Sequence, residues 1–352
     1  MSKRLLIAAS GTGGHLFPAI ATAAQLQGYE IEWLGVPDRL ETSLVPKQYP
    51  LHTVRVEGFQ KRGLSTIGIL ARFVSSTLQV RRLLKQGQFQ GVFTTGGYIA
   101  APAILAARWL GLPTILHESN VLPGKVTRFL SSQCNMVALG FQDTAQYLPR
   151  ARQTITVGTP VRSDFLSQPE PLPFDIPSAA PVIVVIGGSQ GAVAVNQLVR
   201  QAAPAWFELG AWVVHLTGEN DPDVGQLNHP QYLEMPFFGN MAALFQRATL
   251  AISRSGAGTL TELAVTHTPS FLIPYPYAAE DHQTYNARTF ADAGAALMVQ
   301  QADLTPQLLA DKIAHWLSSP DLLQSMSKAT ASLAVTDSAE QLATLVRRVV
   351  EA

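Results

Sequence analysis

Short apolar runs alternate along the chain with longer stretches in which apolar side chains recur every three or four positions. The runs fall at residues 5–9, 31–34, 92–95 and 114–116, then at 182–186, 212–216, 250–252 and 270–273. Runs this short and this uniformly apolar predict strands buried on both faces, and the helix-period stretches predict the crossovers between them. That rhythm gives an α/β fold with parallel sheets. Two of the predicted strands run straight into glycine loops, Gly11-Thr12-Gly13-Gly14-His15 and Gly187-Gly188-Ser189-Gln190-Gly191, half the chain apart. The pattern predicts two doubly wound domains of similar size, joined near residues 159–162, with the Pro-rich segment 169–181 as a loop into the second sheet. Open sheets of this kind bind ligands at the carboxyl ends of their strands, so the expected site is a cleft between the two.

Composition narrows the class. The chain has 352 residues, a single cysteine, 47% apolar and 14% charged residues, which excludes disorder and a disulfide scaffold. Cys134 is expected to be a small core residue. The apolar stretch at 5–9 is shorter than the roughly 7 to 15 residues of a secretory signal and reads as a buried first strand. Residues 98–107 hold Pro102 and stop at Arg108, short of the roughly 20 apolar residues that span a bilayer. The 25 basic and 25 acidic side chains balance, but unevenly: residues 1–161 carry 16 Lys/Arg against 7 Asp/Glu, and residues 162–352 carry 9 against 18. The whole chain is not basic enough for a general nucleic-acid binder, whereas its first half suits anionic headgroups. Residues 55–88 concentrate this charge in Arg55, Lys61, Arg62, Arg72, Arg81, Arg82 and Lys85, with Leu64, Ile67, Leu70, Phe73, Val74 and Leu78 between them at helical spacing. Taken alone, the stripe reads as the core face of an ordinary helix; a lipid-linked substrate reverses that preference.

A strand that turns into a helix through glycines brings backbone N–H groups and the helix dipole to a phosphate. Neither loop is a P-loop or a dinucleotide fingerprint, and either one alone fits close strand-to-helix packing equally well. A third loop, Ser255-Gly256-Ala257-Gly258-Thr259, opens a helix holding Glu262, placed in the first turn. Its carboxylate either complements the dipole or accepts ribose hydroxyls. Gln283 and Asn286, three apart at a predicted helix start, point the same way and suit sugar hydroxyls.

These residues carry a resemblance. Gly-Thr-Gly-Gly-His (11–15), Gly-Gly-Tyr (96–98), His-Glu-Ser-Asn (117–120), Gly-Thr-Pro-Val-Arg (158–162), Gly-Gly-Ser-Gln-Gly (187–191), Ser-Gly-Ala-Gly-Thr-Leu-Thr-Glu (255–262) and Asp-His-Gln-Thr-Tyr-Asn-Ala (281–287) together resemble the MurG family, within glycosyltransferase family 28. The resemblance covers nearly the whole chain in order. It implies the GT-B fold, with an acceptor- and membrane-facing domain at 1–161, a UDP-sugar domain at 162–337, and a C-terminal helix at about 338–352 packing back on the first. It implies an inverting transferase that moves N-acetylglucosamine from UDP-N-acetylglucosamine to the C4 hydroxyl of N-acetylmuramic acid in undecaprenyl-linked lipid I. The family works without a cofactor, peripherally, at the cytoplasmic face of the plasma membrane. Residue by residue, the match puts Ser189 at the diphosphate, Glu262 at the ribose, Phe238 at the uracil through its backbone and Arg162 at the nucleotide. Ala257, Gly258, Thr259, Leu260, Thr261, Gln283 and Asn286 line the nucleotide-sugar, with Thr12, Gly13, Gly14 and Asn120 reaching it from the first domain. Ser119, Thr159 and Phe238 depart from the family's usual residues.

Within that frame His15 is the candidate general base. Among the eight histidines it alone sits in a glycine loop at the carboxyl end of a first-domain strand, and imidazole exchanges protons near neutral pH. Orienting the loop or binding the diphosphate is its alternative role. Asp221-Pro222-Asp223 matches a metal-binding D-x-D superficially and reads better as a solvated turn, so no metal site is expected. His117-Glu118 lacks the second histidine of H-E-x-x-H. Two other enzymes share the fold class: a galactolipid synthase, disfavoured by residues 117–120, and a UDP-N-acetylglucosamine 2-epimerase, which needs no basic apolar surface.

Overall fold

The structure, a computed structural model, describes residues 3–56, 65–188 and 191–352, with the backbone alone at 65–67. The chain divides into two units, Met1–Arg162 with Thr336–Ala352, and Ser163–Val335. In the first, seven parallel strands are β1 (Lys3–Ala8), β2 (Tyr29–Gly35), β3 (Leu51–Thr53), β4 (Gly91–Thr94), β5 (Thr114–Glu118), β6 (Met136–Leu139) and β7 (Thr154–Thr156). They lie in the order β3-β2-β1-β4-β5-β6-β7. Lys3 registers with Tyr29 on one side of β1 and Leu5 with Gly91 on the other. Leu5, Leu6 and Ile7 are consecutive and all fully buried, which requires cover on both faces of the sheet. Helix Gly13–Gln25 and the returning helix Ser338–Glu351 cover one face, packing Leu16, Ala19, Leu342 and Val346 around Trp33 and Phe93. Helices Ser65–Gln86 and Ala100–Trp109 cover the other through Val80, Leu84, Ala103 and Ala107.

The second unit repeats the scheme with β8 (Val182–Ile186), β9 (Trp212–Leu216), β10 (Tyr232–Met235), β11 (Leu250–Ser253), β12 (Ser270–Leu272) and β13 (Ala296–Met298), in the order β10-β9-β8-β11-β12-β13. Trp206, Phe271 and Trp316 fill its core. Each sheet reverses its strand order beside its first strand, between β1 and β4 and between β8 and β11. The loops leaving those strands diverge there and open a crevice at their carboxyl ends. Strands β3, β7, β10 and β13, which the apolar pattern does not announce, are the four sheet edges; β6 is the fifth unannounced strand. An edge strand has one neighbour and needs no unbroken apolar run.

Candidate active site

In the first unit, Ser10, Gly11 and Thr12 carry the chain from β1 into the helix that starts at Gly13. The Thr12 carbonyl accepts the N–H groups of His15 and Leu16, each at 3.1 Å, which puts His15 in the first helical turn above the crevice. Its Nδ1 lies 2.7 Å from the Thr95 carbonyl oxygen, just past β4. A carbonyl only accepts, so Nδ1 carries the proton and Nε2 presents its lone pair. Thr95 Oγ1 donates back to the His15 carbonyl at 2.8 Å, so one residue fixes the histidine twice. Gly96 and Gly97, at φ +89° and +74°, lie flat beneath the ring, where an added Cβ would come within 3.6 Å of it. The left-handed backbone is what demands glycine here, since a Cβ at that distance makes only ordinary contact with the ring.

The end of β5 is shaped by Glu118. Its Oε1 accepts from the backbone and side-chain nitrogens of Asn120 at 3.1 and 3.2 Å, and its Oε2 from Gly124 N at 3.1 Å and Thr127 Oγ1 at 2.6 Å. Asn120 is therefore presented by a buried carboxylate. His117 is fully buried, donates from Nε2 to the Gly158 carbonyl at 2.9 Å, and is held neutral because burial lowers its pKa. Arg162 belongs to this unit and lays its guanidinium 4.7 Å over the ring of Phe17, two residues beyond His15. Thr12 and Gly14 are exposed, and Gly13 is half-buried under Phe17, whose ring would come within 2.7 Å of a Cβ there.

In the second unit, the loop after β8 folds tightly: a Cβ on Gly191 would fall 2.4 Å from the Thr217 carbonyl oxygen, at φ +75°. Ser189 lies outside the described residues. The loop after β11 is clamped by Gln283, whose Oε1 accepts from Ser255 N at 3.2 Å and Tyr275 N at 2.9 Å and whose carbonyl accepts Ser255 Oγ at 2.8 Å. Helix Ala257–Val265 then begins, with Gly258 and Thr259 half-exposed at its start. Thr261 Oγ1 bonds back to the Ala257 carbonyl at 2.9 Å. Phe238 is half-buried, its ring 5.3 Å from that of Phe174 in the Pro-rich loop.

Four expectations change. Asn286 is fully buried and donates to the Ser255 carbonyl at 3.2 Å, so it holds the loop and does not face a sugar. The Leu260 side chain is fully buried in the core, leaving only its backbone for a ligand. Glu262 lies in the second turn, because the helix starts at Ala257, and the dipole reading weakens since that effect fades within one turn. Asp221 is not a solvated turn residue. It is buried, with Arg200 Nη2 at 2.5 Å and Asn196 Nδ2 at 2.7 Å. Burial pushes its carboxyl up, but the bonds from Arg200, the Asp223 N–H and Asn196 outweigh that and hold it below the usual carboxylate range. Arg200 also binds Glu234, and the cluster continues through His215. Burial pushes the His215 pKa down to about 3. Neutral His215 donates from Nε2 to Asn196 Oδ1 at 3.0 Å and accepts the Tyr232 hydroxyl at Nδ1, 2.6 Å away. Asn196 also donates to the Thr217 carbonyl, the atom against which Gly191 packs. The sequence signals no such cluster, since its members come from four separate elements.

The basic helix Ser65–Gln86 also departs from its plain reading. Leu70, Val74 and Leu78, one helical face, are 54%, 50% and 46% exposed, while Ile69, Val80 and Leu84 take the core. Leu64 and Ile67 lie outside the described side chains. Arg81 sits 4.5 Å over the exposed ring of Trp109 on the neighbouring helix. Among the described residues no helix is long and apolar enough to cross a membrane, and no three His, Cys, Asp or Glu side chains are grouped to hold a metal ion.

Residues 5–139 match the Glycosyltransferase family 28 N-terminal domain, and residues 182–342 the Glycosyltransferase family 28 C-terminal domain. A relative from Trichormus variabilis, named UDP-N-acetylglucosamine--N-acetylmuramyl-(pentapeptide) pyrophosphoryl-undecaprenol N-acetylglucosamine transferase, is 67% identical over 99% of this chain and 98% of its own. One of the same name from Trichodesmium erythraeum is 62% identical over 98% of this chain and 92% of its own. The crystal structure of Acinetobacter baumannii MurG superposes with a TM-score of 0.79 at 31% identity, covering 98% of this chain and 99% of that one. A UDP co-structure of S. aureus MnaA, at 12% identity and a TM-score of 0.70, shares the fold alone, over 98% of this chain and 96% of that one. The fold is GT-B, and with both halves matched in order this chain belongs to glycosyltransferase family 28.

Proposed function

We propose that this chain transfers N-acetylglucosamine from UDP-N-acetylglucosamine to the C4 hydroxyl of N-acetylmuramic acid in lipid I, giving lipid II with inversion at C1. The observation that carries the chemistry is the His15 imidazole, whose Nδ1 proton is committed to Thr95 and whose Nε2 lone pair remains to take a proton. In the reaction Nε2 accepts the hydroxyl proton, the oxygen forms its bond to C1, and the C1–phosphate bond breaks with its electrons leaving on UDP. A positioned base of this kind contributes about 10²- to 10⁴-fold. The leaving diphosphate is met by the loop holding Gly188, Ser189 and Gly191 and by the N-terminus of helix Val193–Ala202, without a metal ion. Glu262 accepts the ribose hydroxyls, the Phe238 backbone reads uracil, and Arg162 contacts the nucleotide. Gln283, Ala257 to Thr261, Thr12, Gly13, Gly14 and Asn120 complete the sugar site.

The acceptor carries a lipid, and the exposed stripe Leu70, Val74 and Leu78 on a helix that also carries Arg72, Arg81, Arg82 and Lys85 suits an anionic leaflet. Each basic residue near such a surface is worth about 1 kcal/mol. The stripe supports a peripheral enzyme, and with UDP-N-acetylglucosamine as donor we assign it to the cytoplasmic face of the plasma membrane. The test is purified protein with a panel of UDP-sugars and lipid I, with and without EDTA, scored for lipid product and released UDP. Lipid II formed from UDP-N-acetylglucosamine alone, undiminished by EDTA, is expected. UDP-N-acetylmannosamine formed without lipid, or activity lost to EDTA and restored by Mg²⁺, would refute the substrate or the metal-free chemistry respectively.

A further inference from the structure

One buried carboxylate beside the first unit's crevice has no place in the reaction just described. Glu41, the first residue of the short helix Glu41–Leu44, is fully buried and so touches no substrate. Its Oε1 accepts from Val36 N at 2.6 Å and from the Ser10 hydroxyl, and its Oε2 from Gly11 N at 3.2 Å. Val36 follows β2, and Ser10 and Gly11 follow β1. Gly35 makes room for the carboxylate, since a Cβ there would lie 2.7 Å from Glu41 Cγ. Three donors converge on two oxygens in a buried place, where losing an acceptor leaves N–H groups unpaired at a cost well above that of an exposed bond.

We infer that Glu41 is the positioning residue for the His15 loop. The loop is held at two points: Glu41 fixes Ser10 and Gly11 from the β2 side, and Thr95 fixes His15 from the β4 side. Between them lie Thr12, Gly13 and Gly14 with no other side-chain anchor given by these bonds. The direction of His15 Nε2 therefore depends on the carboxylate that anchors Gly11, four residues upstream of it in the loop. Misplacement by about 1 Å at a reacting group costs on the order of 10²-fold in rate. The inference rests on the reading of His15 as general base.

The test is Glu41→Gln, which keeps the shape but sets an amide N–H₂ against a backbone or hydroxyl donor. The expected result is a kcat lowered about 10- to 100-fold and a UDP-N-acetylglucosamine KM within about threefold of the parent, in a folded protein whose melting temperature falls by no more than one unpaired buried donor costs. Ser10→Ala, which removes one of the three bonds, should show the same split more weakly and serves if the glutamine variant does not fold. A double-mutant cycle with His15→Ala separates the two claims. If Glu41 acts through His15, Glu41→Gln costs nothing further in kcat once His15 is alanine. Independent, multiplicative losses would overturn the positioning role and leave the base intact. If His15→Ala alone leaves kcat unchanged, the base reading fails, and any remaining Glu41 effect overturns the inference with it. Unchanged kcat in both Glu41→Gln and Ser10→Ala overturns the inference alone.

Discussion

The two units share a strand order and differ in how they use buried polar groups. In the first, the carboxylates of Glu41 and Glu118 accept from N–H and hydroxyl groups that follow β1, β2 and β5. In the second, Asp221 and Glu234 are compensated by Arg200, and the cluster extends through Asn196, His215 and Tyr232 to support the glycine loop from behind. The first arrangement shapes the reactive loops directly, with Glu41 joining those after β1 and β2 and Glu118 holding the one after β5. The second closes an ionic network inside the fold and reaches the ligand loop only through the Thr217 carbonyl. Sequence changes should therefore be felt first as rate in the one unit and first as stability in the other.

The strongest test of that division is His15→Ala, which should lower kcat by about 10²- to 10⁴-fold while donor binding, measured by UDP titration, stays within a few-fold. A loss wholly in donor KM would make His15 a binding residue. Next, Arg200→Met leaves two carboxylates buried and unpaired and should destabilise the fold by about 3–5 kcal/mol in urea unfolding. Should it instead lower kcat at unchanged stability, the contrast between the units fails. The same cluster adds a pH signature. With its folded pKa near 3 against 6.5 for the free side chain, His215 contributes stability that is complete above pH 6.5 and lost as pH falls towards 3. Unfolding midpoints should fall over that window, and less so in His215→Gln. Glu262→Ala should raise the KM of UDP-N-acetylglucosamine about 10-fold, within the range of a lost charge-assisted hydrogen bond, and leave the lipid I KM in place. The smallest effect is on the surface: Arg82→Gln should weaken flotation with anionic vesicles by about 1 kcal/mol, in a salt-dependent way.

Central strands were legible because burial on both faces leaves an unbroken apolar run, as at 5–8 and 182–186. The edge strand Thr154–Thr156, exposed throughout, carries no such mark. The glycine loops and His15 were legible for a similar reason, since turn geometry is written in adjacent residues. Carboxylate anchors were not. Glu41 meets Ser10 and Gly11 across a crossover, and Asp221 meets Arg200 from a helix, so nothing local in Asp221-Pro222-Asp223 tells a solvated turn from a buried pair. For the basic helix, periodicity alone favours the core because it identifies a face but not what covers it, and the lipid-linked substrate reverses that reading; Leu70, Val74 and Leu78 are exposed, while Ile69, Val80 and Leu84 form the second apolar face that does the packing.

Helix Ser338–Glu351 lies beyond the whole second unit in sequence yet supplies Leu342, Ala343, Leu345 and Val346 to the core of the first, and its Val350 approaches so near β4 that a Cβ on Gly91 would fall 2.6 Å away. During synthesis the chain emerges from its N-terminus at about 5–20 residues per second. The first sheet is therefore on the ribosome's outer side, with one face covered only by helix Gly13–Gln25, for the entire time that the second unit is being made. The order of translation and the order of completion are reversed: the domain made first is finished last, with apolar side chains such as Trp33 and Phe93 waiting for Leu342 and Val346.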